Sequence, residues 1–329
     1  SVAKWILLAS IIGVIVGGST TVFLKLLNLS TEFTARTPYF FLALPVAFFL
    51  STLLITYLAP DAEGHGTEKV IEAVHERAGR IDIRVVPVKL VTSIVTIAAG
   101  GSAGKEGPCA QIGGGLASLF ATLMRFDDRD RRKLVICGIS AGFAAVFGTP
   151  IAGAIFGVEV LFVGSILYDV LLPSFVAGIT GVQVAQAFGM SYFNARLEFV
   201  PVFTESFFLC TVLAGIFFGI CASLFIKMME SVKELSARLR VHPLLKSTAG
   251  GIILIALTLV FSRRYLGLGL ATVHGILQGE RVPWYAPFVK MLFTSVTLNL
   301  GGSGGVITPI FFIGSSAGAL FAEMMRLNT

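Results

Sequence analysis

Apolar residues fall in long, nearly uninterrupted runs, with polar residues confined to short connectors. Residues 6–18 (ILLASIIGVIVGG), 39–59 (YFFLALPVAFFLSTLLITYLA) and 207–225 (FFLCTVLAGIFFGICASLF) carry almost no polar position. A half-buried strand would alternate, and a surface helix would show a polar face. Continuous runs of this kind suit helices surrounded by hydrocarbon, whose thickness is about 30 Å. The pattern predicts an all-α polytopic membrane protein, with the first run retained as a span rather than cleaved as a leader.

Composition agrees. Hydrophobic residues make up 55% of the 329 positions and charged residues 13%, where a soluble domain carries about 25% charged residues. Mean hydropathy is +0.87. The net charge of +6 gathers in connectors: 75-HERAGRIDIR-84, 125-RFDDRDRRK-133 and 227-KMMESVKELSARLRVHPLLK-246. On a membrane protein such clusters mark the cytoplasmic side rather than a nucleic-acid surface. The first two bracket two short apolar segments, so an even number of crossings puts both on one face. Cys109, Cys137, Cys210 and Cys221 have no metal-type spacing and read as small buried hydrophobes. His75, His242 and His274 lie in connectors and read as solvated or capping residues. No metal site or cofactor is expected.

The chain repeats itself. Residues 88–125 match residues 289–326 without a gap: Lys89 with Lys290, Thr96 with Thr297, Gly100-Gly101-Ser102 with Gly301-Gly302-Ser303, Gly104 with Gly305, Pro108 with Pro309, and Gly113 with Gly314. Residues 13–25 resemble 215–227, and Gly64-His65-Gly66 corresponds to Gly267-Leu268-Gly269. The expected organisation is a first half over 1–190, a connector at 191–204 and a second half over 205–329. Residues 131–181 have no counterpart after Arg326, so the second half is expected to be incomplete at the C-terminus.

The glycine-rich stretch 99-AGGSAGKEGPCAQIGGG-115 resembles a phosphate loop only superficially. A G-x-x-x-x-G-K-[ST] loop needs Ser or Thr after the lysine and Gly at 99, where Glu106 and Ala99 stand. The glycines instead break one apolar helix, and Pro108 suits the first turn of the next. The N–H groups of Lys105, Glu106 and Gly107 then lie unpaired at a helix start, where the macrodipole is positive. Gly305 and Pro309 repeat the device, exposing the N–H groups of Val306 and Ile307. A third start is 63-EGHGTEKVIEAV-74, opened by Gly64 and Gly66. Broken helices whose N-termini meet at membrane depth are a recurring way to hold a dehydrated anion. Close packing explains Gly113-Gly114-Gly115 equally well, but not Glu106, for which the competing role is an ion pair with Lys105.

These residues resemble the CLC family of chloride channels and chloride/proton antiporters. The segment 104-GKEGP-108 is similar to the family's G-[RK]-E-G-P, and 305-GVITP-309 to its second helix start. 64-GHGTE-68 falls where the family has G-S-G-I-P. The resemblance implies tilted, broken and re-entrant helices in an inverted-topology repeat. It also implies a multi-pass protein of the plasma (inner) membrane, acting as a homodimer with one anion pathway per subunit and chloride as the substrate. Glu106 would be the gating carboxylate and a proton carrier, with the anion held by Val306 and Ile307. Three departures stand out. His65 occupies the position of a serine donor to the anion, and Glu68 replaces a proline. In 156-FGVEVLF-162 the inner-side position for proton coupling is Val160 rather than glutamate. The family's pore tyrosine lies in a late helix beyond this sequence. The reading is anion transport, channel-like by a small margin, with a chloride/proton or fluoride/proton antiporter as the alternative. An intramembrane enzyme finds no motif, and a non-transporting scaffold leaves Glu106 unexplained.

Overall fold

A computed structural model describes residues 2–160, 168–192 and 204–325 of the chain. Most of the connector expected at 191–204, and Arg326, lie outside the described residues. Thirteen α-helices form the described part: α1 (Val2–Ala35), α2 (Leu44–Leu58), α3 (Thr67–Glu76), α4 (Val85–Ala98), α5 (Glu106–Leu123), α6 (Asp128–Phe147), α7 (Pro150–Glu159), α8 (Tyr168–Ala187), α9 (Glu205–Arg238), α10 (Pro243–Val260), α11 (Leu270–Leu277), α12 (Ala286–Asn299) and α13 (Ile307–Met324). Six helical stretches are long and apolar enough to cross a membrane. The protein is therefore an integral, multi-pass membrane protein. α1 and α9 each have 34 residues, about 51 Å at 1.5 Å per residue. That exceeds the hydrocarbon thickness, so each must tilt or protrude. α4 and α12, with 14 residues each, are about 21 Å long and stop short of a crossing.

The repeat is visible element by element. α1 to α5 correspond to α9 to α13, and α4–α5 and α12–α13 are separated by the same glycine-rich break. Across the break the halves bond reciprocally. Gly104 N–H donates to Gly305 O and Gly305 N–H to Gly104 O, both at 2.6 Å, in an antiparallel bridge. Ser102 N–H donates to Thr297 Oγ1 and Ser303 N–H to Thr96 Oγ1, both at 3.0 Å. Swapping the halves reproduces each bond, which defines a pseudo-twofold axis through the break. α2 packs against its own counterpart α10 across that relation.

Two buried lysines obey the same symmetry. Lys89 Nζ donates to Ala62 O at 3.0 Å and Gly64 O at 2.6 Å. Lys290 Nζ donates to Tyr265 O at 3.0 Å and Gly267 O at 2.9 Å. Both side chains are fully buried. Each lysine ties a helix of the break (α4, α12) to the turn ahead of a short helix (α3, α11), satisfying carbonyls that hydrocarbon would leave orphaned.

The first half folds around α5 and α6, with Ile12 and Val16 of α1, Val70 of α3, Ala117 of α5, Ile139 of α6 and Ala177 of α8 in one core. Backbones approach closely where the sequence is small: a Cβ on Gly113 of α5 would collide with Gly138 O of α6. A second core joins Phe48 of α2, Leu254 of α10, Phe293 of α12 and Phe312 of α13. Arg80 Nη2 lies 3.2 Å from Asp128 Oδ1, so the two basic connectors do share one face. Asp128 also pairs with Arg131, and the Arg80 guanidinium chiefly holds its carboxyl below the usual range. Cys109, Cys137 and Cys221 are buried, but Cys210 is partly exposed on α9, because most of that helix faces outward. His242 caps α10, its Nδ1 accepting from Leu244 N–H at 3.3 Å.

Candidate functional site

Three helix starts converge. α3 opens after Gly64 (φ +77°) and Gly66 (φ +92°), α5 after its N-cap Lys105, and α13 after its N-cap Val306. The approach is so tight that a Cβ on Gly107 would run into His65 O, and one on Gly66 would lie 2.6 Å from Gly107 O. No side chain can be inserted there without parting the segments. Pro108 and Pro309 occupy the first turns of α5 and α13, where a missing N–H costs nothing. The anticipated constellation of Gly64, His65, Gly66, Gly104, Lys105, Glu106, Gly107, Gly305, Val306 and Ile307 is thus drawn together.

Glu106 is the first residue of α5 and fully buried. Its carboxylate does not pair with Lys105 among the described residues. It crosses to the other half, where Oε2 accepts from Thr308 N–H at 3.2 Å and Oε1 accepts from the Thr308 hydroxyl. The carboxylate therefore caps α13 from outside, at the partially positive end of that helix. Hydrogen bonds to an ionised group contribute about 1.5–3 kcal/mol each. A dehydrated halide would seek the same helix start.

Thr308 was not among the residues singled out from sequence. The repeat contained the signal: Thr308 is the counterpart of Gly107, a position where a hydroxyl in one half faces a bare backbone in the other. Gln111, buried one turn beyond Glu106, was also missed. Its Nε2 donates to Asp61 O at 2.8 Å and holds the α3 lead-in against α5.

His65 does not stand free at the junction. Its Nε2 lies 2.9 Å from Glu68 Oε1, so the two departures from the family pattern are partners. Glu68 is largely exposed, and the hydrogen bond from His65 is the main cause holding its carboxyl below the usual range. A cavity of about 780 Å³ reaches this pair and the start of α13, touching His65, Glu68, Val306 and Ile310. Val160 sits apart, at the end of α7, partly buried against the core of the first half.

Residues 46–329 match the family model described as voltage gated chloride channel. The chain is 35% identical to a chloride/fluoride channel protein of Pseudomonas syringae pv. tomato, over 99% of this chain and 73% of that one. It is 28% identical to the voltage-gated ClC-type chloride channel ClcB of Escherichia coli, over 80% of this chain and 63% of that one. Among solved structures it superposes on a CLC-type fluoride/proton antiporter with a TM-score of 0.93 and 30% identity, over 99% of this chain and 83% of the other. With the paired helix breaks, the buried carboxylate between them and a family match over most of its length, this chain belongs to the CLC family of voltage-gated chloride channels and related antiporters.

Proposed function

We propose that the protein exchanges a small halide for protons, with the Glu106 carboxylate and the anion taking turns at the N-terminus of α13. CLC-type anion transport is the activity of its family; the exchange mode, the anion and the residue roles are our reading. The observation that carries it is the buried Glu106 carboxylate seated on Thr308 N–H and hydroxyl. An anion can occupy this helix start only after the carboxylate leaves. A carboxylate displaced into apolar surroundings is stabilised by taking up a proton. Departure of the gate and proton uptake are then one event, and the N–H groups of Val306 and Ile307 receive the anion. The anion is chloride or fluoride; the names of the Pseudomonas relative and of the solved antiporter support weighing both. The working unit would be a homodimer in the inner membrane, each subunit with its own pathway.

A passive channel is the second reading. It is favoured by Val160 in place of an inner carboxylate and by the channel names of two relatives. Vesicles separate the two. An imposed chloride or fluoride gradient drives protons uphill through an exchanger and not through a channel. Glu106→Gln should abolish that proton movement. Wild-type proton flux in the variant would remove Glu106 from the mechanism.

A further inference from the structure

The cytoplasmic end of the first half, marked by its basic connectors, holds more positive charge than its carboxylates neutralise. Around the start of α6 the acids are already engaged. Asp130 pairs with Lys4 at 2.9 Å, Asp169 with Lys133 at 2.6 Å, and Asp128 with both Arg80 and Arg131. Asp127 caps α6, its Oδ1 accepting from Asp130 N–H at 2.7 Å. Arg125, Arg129 and Arg132 remain exposed, with no ion pair among the described residues. The sequence of 161–167, between α7 and α8, adds no charge. Arg129 and Arg132 lie three positions apart on α6 and so share a face.

Arg125 is unusual in its backbone. It closes α5 in the left-handed region, at φ +56°. Phe126 N–H returns to Ala121 O at 2.9 Å and Arg125 N–H to Thr122 O at 3.1 Å, the helix-end motif in which glycine is favoured at this position. A residue with a Cβ is strained there, so the guanidinium is presented at a steric cost that glycine would avoid. The neighbours fix the depth of the cluster. The Nζ atoms of Lys4 and Lys133 sit 5.5 and 5.3 Å from the Trp5 ring of α1, and Lys4 also lies 5.2 Å from Phe126. A tryptophan flanked by snorkelling lysines marks the level of lipid headgroups. Just ahead of Arg125, Leu123 and Met124 are 68% and 59% exposed, apolar side chains suited to acyl chains.

We propose that Arg125, Arg129 and Arg132 form a docking site for the phosphodiester headgroup of an anionic phospholipid in the cytoplasmic leaflet, with Leu123 and Met124 against its acyl chains. Guanidinium groups match phosphate oxygens with paired N–H donors, and juxtamembrane basic clusters gather anionic lipid. A lipid bound there reinforces helix ends that Lys4–Asp130 joins between α1 and α6 and Lys133–Asp169 joins between α6 and α8. The site lies away from the junction of helix starts and does not depend on the mode of transport.

The test measures thermal unfolding of purified protein in detergent micelles doped with phosphatidylglycerol, or with phosphatidylcholine of the same chains. Phosphatidylglycerol should raise the unfolding temperature at the lower mole fraction, and high salt should remove that advantage. The triple variant Arg125→Gln, Arg129→Gln, Arg132→Gln should need more phosphatidylglycerol for the same shift, roughly fivefold per arginine and about a hundredfold together. A charge-matched control removes exposed arginines of the opposite face: Arg36→Gln after the far end of α1, Arg264→Gln beside Arg263, which donates to Pro38 O at 2.5 Å, and Arg281→Gln after α11. It should keep the full lipid shift. Arg125→Gly relieves the left-handed residue, so without lipid it should unfold no earlier than wild type while losing about fivefold in lipid affinity. That variant keeps the inference exposed if the triple variant fails to fold. Equal shifts from the two lipids in wild type, an undiminished shift in the cytoplasmic variants, or an equal loss in the opposite-face control overturns the proposal. A shift reproduced by inorganic phosphate alone also overturns it, in favour of a simple anion site.

Discussion

Thr308→Val isolates the contact that holds the Glu106 carboxylate at the start of α13. The substitution removes the hydroxyl that donates to Glu106 Oε1 and leaves Thr308 N–H in place to hold Oε2. A hydrogen bond to a charged group contributes about 1.5–3 kcal/mol. At about 1.4 kcal/mol per factor of ten, the docked carboxylate loses between roughly tenfold and a hundredfold in occupancy. If the anion competes with that carboxylate for the start of α13, the loss reappears as tighter binding. Apparent halide Kd should therefore fall by about tenfold or more, read by calorimetry on purified protein. Thr308→Ser keeps the hydroxyl and should bind as wild type does. An unchanged or weaker affinity in Thr308→Val, with Thr308→Ser normal, would show that carboxylate and anion do not share a site.

Two further outcomes follow from the packing. Lys89→Met and Lys290→Met each strip donors from two backbone carbonyls, and each should cost about 1–3 kcal/mol, seen as lowered thermal unfolding temperature in detergent. The pseudo-symmetry predicts similar losses, so a large inequality would show that the two turns are not held alike. Gly107→Ala drives a Cβ into His65 O; it should abolish halide binding or prevent folding, and a variant that binds normally would show that α3 and α5 can part without consequence.

Much of this architecture was legible along the chain because its causes are local. Apolar runs with no polar face can only be spans, and glycine followed by proline interrupts a helix whatever surrounds it. The gapless match of 88–125 to 289–326 predicts two equivalent helix breaks, and the family resemblance implies their inverted relation. The repeat matched Thr96 to Thr297 and Ser102 to Ser303 as counterparts, and in the fold the bonds run crosswise between those pairs, Ser102 to Thr297 and Ser303 to Thr96. The short helix α3 and its glycine turn were equally readable. Cys210 was misjudged as buried because periodicity cannot say which face of a uniformly apolar helix meets protein and which meets lipid.

Partnerships were not legible, because they join positions far apart in the chain with no spacing rule between them. Glu106 and Thr308 are 202 positions apart, and the lysine adjacent to Glu106 in sequence is not its partner. The sequence placed His65 at the position of a serine donor without showing its partner. The fold supplied that partner, the Glu68 carboxylate one turn ahead on α3. Apolar runs, breaks and repeat were determined by composition and local stereochemistry. Which buried donor meets which buried acceptor was decided only by tertiary structure, because helix ends from both halves had to be brought within hydrogen-bond range before any side chain could choose.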